Sequence, residues 1–134
     1  MWIFSTRGFY SVVQDLTDAG KMQVRARKRE DLENLRRDFG LLAEVKITPL
    51  SDYRYRLVVG RAEWAYIGAR LISEINYTNF KEAAMDSGQE DKSEVMLYIW
   101  ELMHLYQEKL VERRSAVNPD YNESLGWMNN EGRD

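Results

Sequence analysis

Residues 22–28 alternate strictly, with Met22, Val24 and Ala26 against Gln23, Arg25 and Arg27, which is the period of a strand with one face buried. Two earlier runs, Trp2–Ser5 and Phe9–Gln14, are rich in aromatic and β-branched residues. Thr6, Arg7 and Gly8 between them predict a turn or bulge, hence two short strands or one kinked strand. Asp15 to Lys21 has a turn composition. From Glu30 to Phe39 the spacing of Leu32, Leu35 and Phe39 is helical, with acids in the first turn, Arg36 and Arg37 near the end, and Gly40 placed to close the helix. Residues 44–48 and 53–59 alternate again around Pro49-Leu-Ser-Asp52, predicting a hairpin that Gly60 closes.

Helical spacing dominates from Ala62 onward. Trp64, Ile67, Leu71, Ile72 and Ile75 fall on one predicted stripe, with Gly68 read as a point of close approach. A shorter helix over 76–87 is opened by Thr78, residues 88–91 break it, and Asp91-Lys-Ser-Glu94 has capping-box spacing ahead of a helix over 92–112. The order strand, strand, helix, strand, strand, helix predicts an α+β fold. Its expected form is a ferredoxin-like sandwich with an antiparallel sheet of four or five strands, helices on one face and further helices at the C-terminus. One domain is expected over 1–112. Residues 113–134 are rich in Asn, Asp, Glu, Gly and Ser and read as a polar tail, dispensable for folding.

Composition narrows the function classes. With 44% apolar residues and 12% aromatics, a chain of 134 residues has the means to bury a core. The absence of cysteine removes disulfide, thiolate-metal and cysteine-nucleophile chemistry and suggests a reducing, cytoplasmic setting. No secretory leader and no membrane span are read in the pattern, so no membrane partner is expected. The net charge of −3 conceals an asymmetry: residues 1–61 carry twelve Lys and Arg against eight Asp and Glu, a local +4, whereas residues 62–134 carry seven against fourteen, a local −7. A basic half can attract anions within a mildly acidic protein.

Strand parity turns that asymmetry into a candidate site. If Val24, Ala26, Val45, Ile47, Tyr55, Leu57 and Val59 face the helices, then Arg25, Arg27, Lys46, Thr48, Arg54 and Arg56 share the opposite face with no acid among them. Like charges across strands are destabilising, so this face implies a compensating feature. An anionic ligand is one answer, since guanidinium forks match phosphate or carboxylate and Phe9, Tyr10 or Tyr53 could stack on a base. A solvated outer face, or pairing with acids from elsewhere, is the other.

The 92–112 helix carries a second signal. Between Val95 and Tyr106 only Glu101 and His104 are polar, so apolar side chains surround most of the helix. Such a helix requires cover on more than one side, and a homodimer through Leu97, Tyr98, Leu102 and Leu105 is the expected solution. Cover by the tail or by the preceding helix is the alternative. Glu101 and His104 repeat the Glu-x-x-His spacing of di-iron bundles, with Glu108 a turn beyond, but a single histidine is too few for such a site. Neither metal nor cofactor is expected. Phosphate-loop, dinucleotide and nucleophile-elbow motifs are missing from the sequence, and no catalytic residue is assigned.

The segments Met1-Trp-Ile-Phe-Ser-Thr-Arg-Gly-Phe-Tyr-Ser-Val-Val13, Val24-Arg-Ala-Arg27, Asp52-Tyr-Arg-Tyr-Arg56 and Asn76-Tyr-Thr-Asn-Phe-Lys81 resemble a family of short bacterial and phage proteins to which no activity is attached. The resemblance covers about residues 1–110. It implies a common fold and a common site near Thr6 to Ser11, bringing in Thr6 and Arg7, together with Arg25, Arg27, Tyr53 and Arg54. The sequence thus points to a non-enzymatic binding protein for an anionic, nucleotide-derived ligand, of the kind phage use to sequester signals. An RNA or single-stranded nucleic-acid binder on the same face, or a protein-interaction factor acting through the apolar helix, are the alternatives. A small-molecule enzyme comes last.

Overall fold

A computed structural model describes residues 1–117, apart from the side chains at 114 and 115. The chain divides into two compact units, Met1–Ser93 and the segment from Glu94 onward. The first unit contains β1 (Trp2–Ser5), β2 (Gly8–Gln14), β3 (Lys21–Ala26), α1 (Arg29–Phe39), β4 (Lys46–Ile47), β5 (Tyr55–Gly60), α2 (Arg61–Ser73), α3 (Phe80–Asp86) and a 3-10 turn at Glu90–Lys92. Helix α4 starts at Ser93 and runs to Val117, into the segment read as tail. The rest of that segment lies outside the described residues.

All five strands form one antiparallel sheet in the order β1-β2-β3-β5-β4. β3, α1 and β4 make a split β-α-β unit, because β5 lies between the two strands and runs against both. The expected α+β architecture is therefore observed, with ferredoxin-like strand placement in permuted chain order and β1 added at the edge. β1 and β2 are separated by Thr6 and Arg7 alone, with Ser5 opposite Gly8.

One sheet face carries the core. Tyr10 and Val12 of β2, Val24 and Ala26 of β3, and Leu57 and Val59 of β5 are buried with Leu32 and Leu35 of α1 and Trp64 and Ile67 of α2. Gly40 ends α1 in the left-handed conformation (φ 64°), and the Leu41 N–H returns to the Arg36 carbonyl. On α2 the inward stripe is Trp64, Ile67 and Leu71; Ile72 and Ile75 are exposed, Ile75 lying past the last turn. Gly68 has open space where a side chain would stand, so the close approach expected there is not made. Ile47 is also exposed, because β4 is a two-residue edge strand on which the alternation has too little partner to be enforced. Asn79, one residue after Thr78, caps α3 through the Glu82 N–H. Asp91 accepts from Lys28 (2.9 Å), which replaces the capping role read for it.

The deepest polar feature joins three distant segments. Asp31 is 2% exposed; its Oδ1 accepts from Lys92 Nζ at 2.7 Å and its Oδ2 from the Phe9 N–H at 3.1 Å. The Tyr10 hydroxyl donates to the Asp31 carbonyl (2.9 Å), Lys92 also donates to Gln89, and Gln89 Nε2 donates to the Arg7 carbonyl at 3.4 Å. A Cβ on Gly8 would stand 2.6 Å from the Asp31 Cβ, so only glycine lets β2 approach α1 this closely. At the other end of β2, Asp15 accepts from Gln23, Thr17 and Asp18 and organises the turn to β3.

Removing one member of a buried ion pair strands the other charge, at a cost of about 3–5 kcal/mol. Asp31→Asn is therefore expected to lower unfolding stability by that order in urea titration, with part of the loss recovered in Asp31→Asn/Lys92→Met. The Asp15 carboxyl is held down to about 2 by the Gln23 and Thr17 hydrogen bonds. A depressed acid stabilises the folded state above its unfolded pKa and loses that contribution as pH falls through the folded one. Melting temperatures between pH 5 and pH 2 are expected to fall less steeply in Asp15→Ala than in the parent protein.

Candidate functional site

The sheet face turned away from α1 and α2 is organised by cross-strand register. Trp2 lies opposite Ser11, Ser11 opposite Arg25, Arg25 opposite Arg56, and Arg56 opposite Lys46, so one row crosses all five strands. Three consecutive members of that row are cations. Opposing like charges on a sheet repel, and side chains directly across antiparallel strands are only about 4.5–5.5 Å apart at Cβ.

Neutral groups, not acids, hold the two central guanidiniums. Arg25 donates from Nη2 to the buried Ser11 hydroxyl (2.7 Å), while its Nε is buried with no hydrogen-bond partner. Arg56 donates from Nε to Thr48 Oγ1 (3.1 Å), from Nη1 to Gln23 Oε1 (3.3 Å) and from Nη2 to Ser51 Oγ. Tyr53 is buried, and the Arg25 and Arg27 guanidinium carbons lie 4.8 and 4.1 Å from its ring centroid. Both arginines thereby gain attraction to the ring face. The 48–53 segment supplies two of the four acceptors, Thr48 and Ser51, together with the ring, and β2 and β3 supply Ser11 and Gln23.

Among the described residues, Arg25, Lys46, Arg54 and Arg56 have no carboxylate within 4 Å. Arg54, just ahead of β5, and Lys46 on β4 are exposed. Arg27 differs, since it bridges to Asp52 at 3.1 Å and is held more firmly charged than usual by Tyr53 and Asp52, against a partial opposing effect of burial. That pair is well exposed, with side chains 63% and 72% accessible, so it contributes little to stability.

The other expected site residues occupy different places. Tyr10 belongs to the core, 3% exposed, because the hairpin register puts it on the same side as Val12; burial, then Asp31, drives its hydroxyl pKa far above the ordinary value. It cannot stack on a ligand at the second face. Phe9 is on that face, but Phe4 meets it edge-on at 4.5 Å and Lys92 Nζ lies 5.5 Å from its ring centroid. Arg7 is a structural cation: it binds Asp38 (2.8 Å) and Glu74 (2.6 Å) and lies over the Phe39 ring. Burial opposes its charge, and the bonds to Glu74 and Asp38 outweigh that and raise its pKa. Thr6 is half-buried in the β1–β2 turn. Gln23 and Ser51 orient Arg56; alternation sets Gln23 on the outer face with Arg25, but neither alternation nor charge marks a neutral side chain as an acceptor.

In α4, His104 stacks on Trp100 (5.3 Å, 9° between planes), and its Nε2 lies 3.4 Å from Glu108; Glu101 is not its partner. The described residues contain no group of three His, Asp or Glu side chains able to hold a metal. No described helix is long and apolar enough to cross a membrane.

Tyr53→Leu retains apolar bulk but removes the ring that Arg25 and Arg27 share. With cation–π contacts worth about 0.5–1 kcal/mol each at accessible sites, a loss of about 1–2 kcal/mol is expected in urea unfolding. Broadened amide resonances over residues 48–53 should accompany it, whereas an unchanged spectrum would mean that the ring does not order the loop. The chain matches no protein-family model, no curated protein and no solved structure.

Proposed function

We propose that this is a non-enzymatic binding protein that holds a phosphate-bearing anion, in the range of a nucleotide-derived signal, on the Arg/Lys face of its sheet, and that it works as a dimer through α4. The observation that supports the ligand reading is the Arg25–Arg56–Lys46 row with Arg54 beside it, four cations without a carboxylate partner among the described residues. Hydrogen bonds donated to the oxygens of Ser11, Thr48, Gln23 and Ser51 fix two of the guanidiniums before any ligand arrives. Preorganised donors lose less freedom on binding than free ones.

Single-stranded nucleic acid is the weaker occupant of this face. Its binding requires free aromatic platforms, and Tyr53 is already under two guanidiniums, Phe9 is flanked and Tyr10 is buried. Trp2 and Phe4 keep exposed surface at the β1 edge, which is short support for a strand. A dimer is favoured by the exposed Leu97, Tyr98, Leu102 and Leu105 of α4, at 41–65% accessibility.

Arg54 is the discriminating position, since no described contact depends on its side chain. Titration of the full-length protein with inorganic pyrophosphate and with a nucleoside triphosphate, followed by amide chemical shifts, is expected to perturb residues around Arg25, Arg54 and Arg56. A charge-assisted hydrogen bond contributes about 1.5–3 kcal/mol, so Arg54→Ala should weaken binding tenfold or more and Arg54→Lys nearly as much. A nonspecific polyanion surface would instead tolerate Arg54→Lys and weaken steeply with salt. Absence of any shift with either probe, together with no retained small molecule in native mass spectra of protein taken from cells, would leave the face a solvated surface.

A further inference from the structure

The exposed surface of α4 is too large to be incidental. Nine large apolar side chains between Val95 and Leu110 are 36–65% exposed. At about 150–200 Å² for a fully exposed side chain of this size, they present on the order of 800 Å². In total that is comparable with one partner's share of a standard protein–protein interface, but it is spread around most of the helix, so a single helix–helix contact covers part of it.

Spacing chooses the contact stripe. Apart from Val95, Ile99, Leu102 and Tyr106, which run through the half-buried Ile99, two sets of apolar residues follow the 3-4 repeat of paired helices. The first, Met96, Ile99, Met103, Tyr106 and Leu110, begins on Met96, which is buried, and Ile99, which is half-buried. The second, Val95, Tyr98, Leu102 and Leu105, is 47–65% exposed at every position and ends against Lys109 and Glu112, the next residues in its repeat.

Charge then chooses the orientation. In a parallel in-register pair this stripe continues into Lys109 facing Lys109 and Glu112 facing Glu112, and the acidic first half of the helix, with Glu94 and Glu101, lies along its own copy. In an antiparallel pair centred near residue 100, the four layers are Val95 with Leu105 and Tyr98 with Leu102, each twice, all apolar. The Lys109 end of each helix comes within a turn of Glu94 of the other, and the helix dipoles oppose. Resting on the dimer reading above, we infer that two copies of this chain associate by antiparallel pairing of their α4 helices along Val95, Tyr98, Leu102 and Leu105.

The chain lacks cysteine, so introduced thiols report geometry cleanly. Full-length Val95→Cys and Leu105→Cys proteins, mixed and gently oxidised, are expected to form a heterodimeric disulfide, while each alone forms none, because like positions stand about 15 Å apart along the axis. Tyr98→Cys mixed with Leu102→Cys should also form the heterodimeric disulfide and guards against local disturbance by either outer substitution; like positions there stand only about 6 Å apart along the axis, so self-crosslinking is read on the outer pair. Self-crosslinking of the outer single variants, in a parent that sediments as a dimer, would overturn the antiparallel arrangement and leave the dimer standing. A dimer with no crosslink from either mixture would overturn this stripe. A parent that stays monomeric at high concentration would remove the dimer itself.

Discussion

A carboxylate buried at 2% exposure constrains the whole first unit. Taking Asp31 out of water costs several kcal/mol unless its oxygens are satisfied. They are satisfied from two directions: the Phe9 amide on β2 and the Lys92 ammonium on the 3-10 turn. Tyr10 and Gln89 complete the set through the Asp31 carbonyl and Lys92. Strand β2, the first helix and a segment some sixty residues away must therefore meet at one point or leave a buried charge unpaired. Such a pair adds little net stability over an apolar contact of the same volume, but it penalises every other arrangement. Gly8 belongs to the same constraint, since any side chain there would push β2 off Asp31.

Fixing β2 fixes the chemistry on the far side of the sheet. With Tyr10 and Val12 drawn inward, Phe9 and Ser11 face outward, and Ser11 is then level with Arg25 in the cross-strand row. Arg25 and Arg56 stand opposite one another with neutral oxygens as their only described acceptors. A sheet built for stability alone would alternate signs at these positions. The 48–53 loop instead brings Thr48 and Ser51 to Arg56 and the Tyr53 ring to Arg25 and Arg27, and its one acid, Asp52, pairs with Arg27, so Arg25 and Arg56 are oriented without being neutralised. In the anion-binding reading proposed above, orientation without neutralisation is what readies these guanidiniums for a ligand.

Helix α4 follows a different logic. Helices in monomeric proteins separate an apolar stripe from a polar face, and α4 keeps large apolar side chains around most of its circumference as far as Leu110. Trp100 and His104 stack along it rather than opening a metal position. A surface of that kind is stable in water when something else covers it, and the dimer proposed above would supply a second copy as that cover.

The sequence by itself determined the elements and most of their faces. Strict alternation at 22–28 placed Val24 and Ala26 inside and Arg25 outside, helical spacing marked Leu32 and Leu35, and Gly40 marked the end of α1, because each of these depends on a period of two or 3.6 residues read locally. Arg25, Arg56 and Lys46 were legible as one face for the same reason. Only the tertiary structure decided what crosses between elements. Register placed Tyr10 in the core and left Ile47 exposed on a two-residue edge strand. Folding brought Arg7 to Asp38 and Glu74, and Lys92 to Asp31, across separations that no local period records. It also supplied the neutral acceptors Gln23 and Ser51, whose contribution depends on distance and direction, and those exist once the strands and the 48–53 loop are in place.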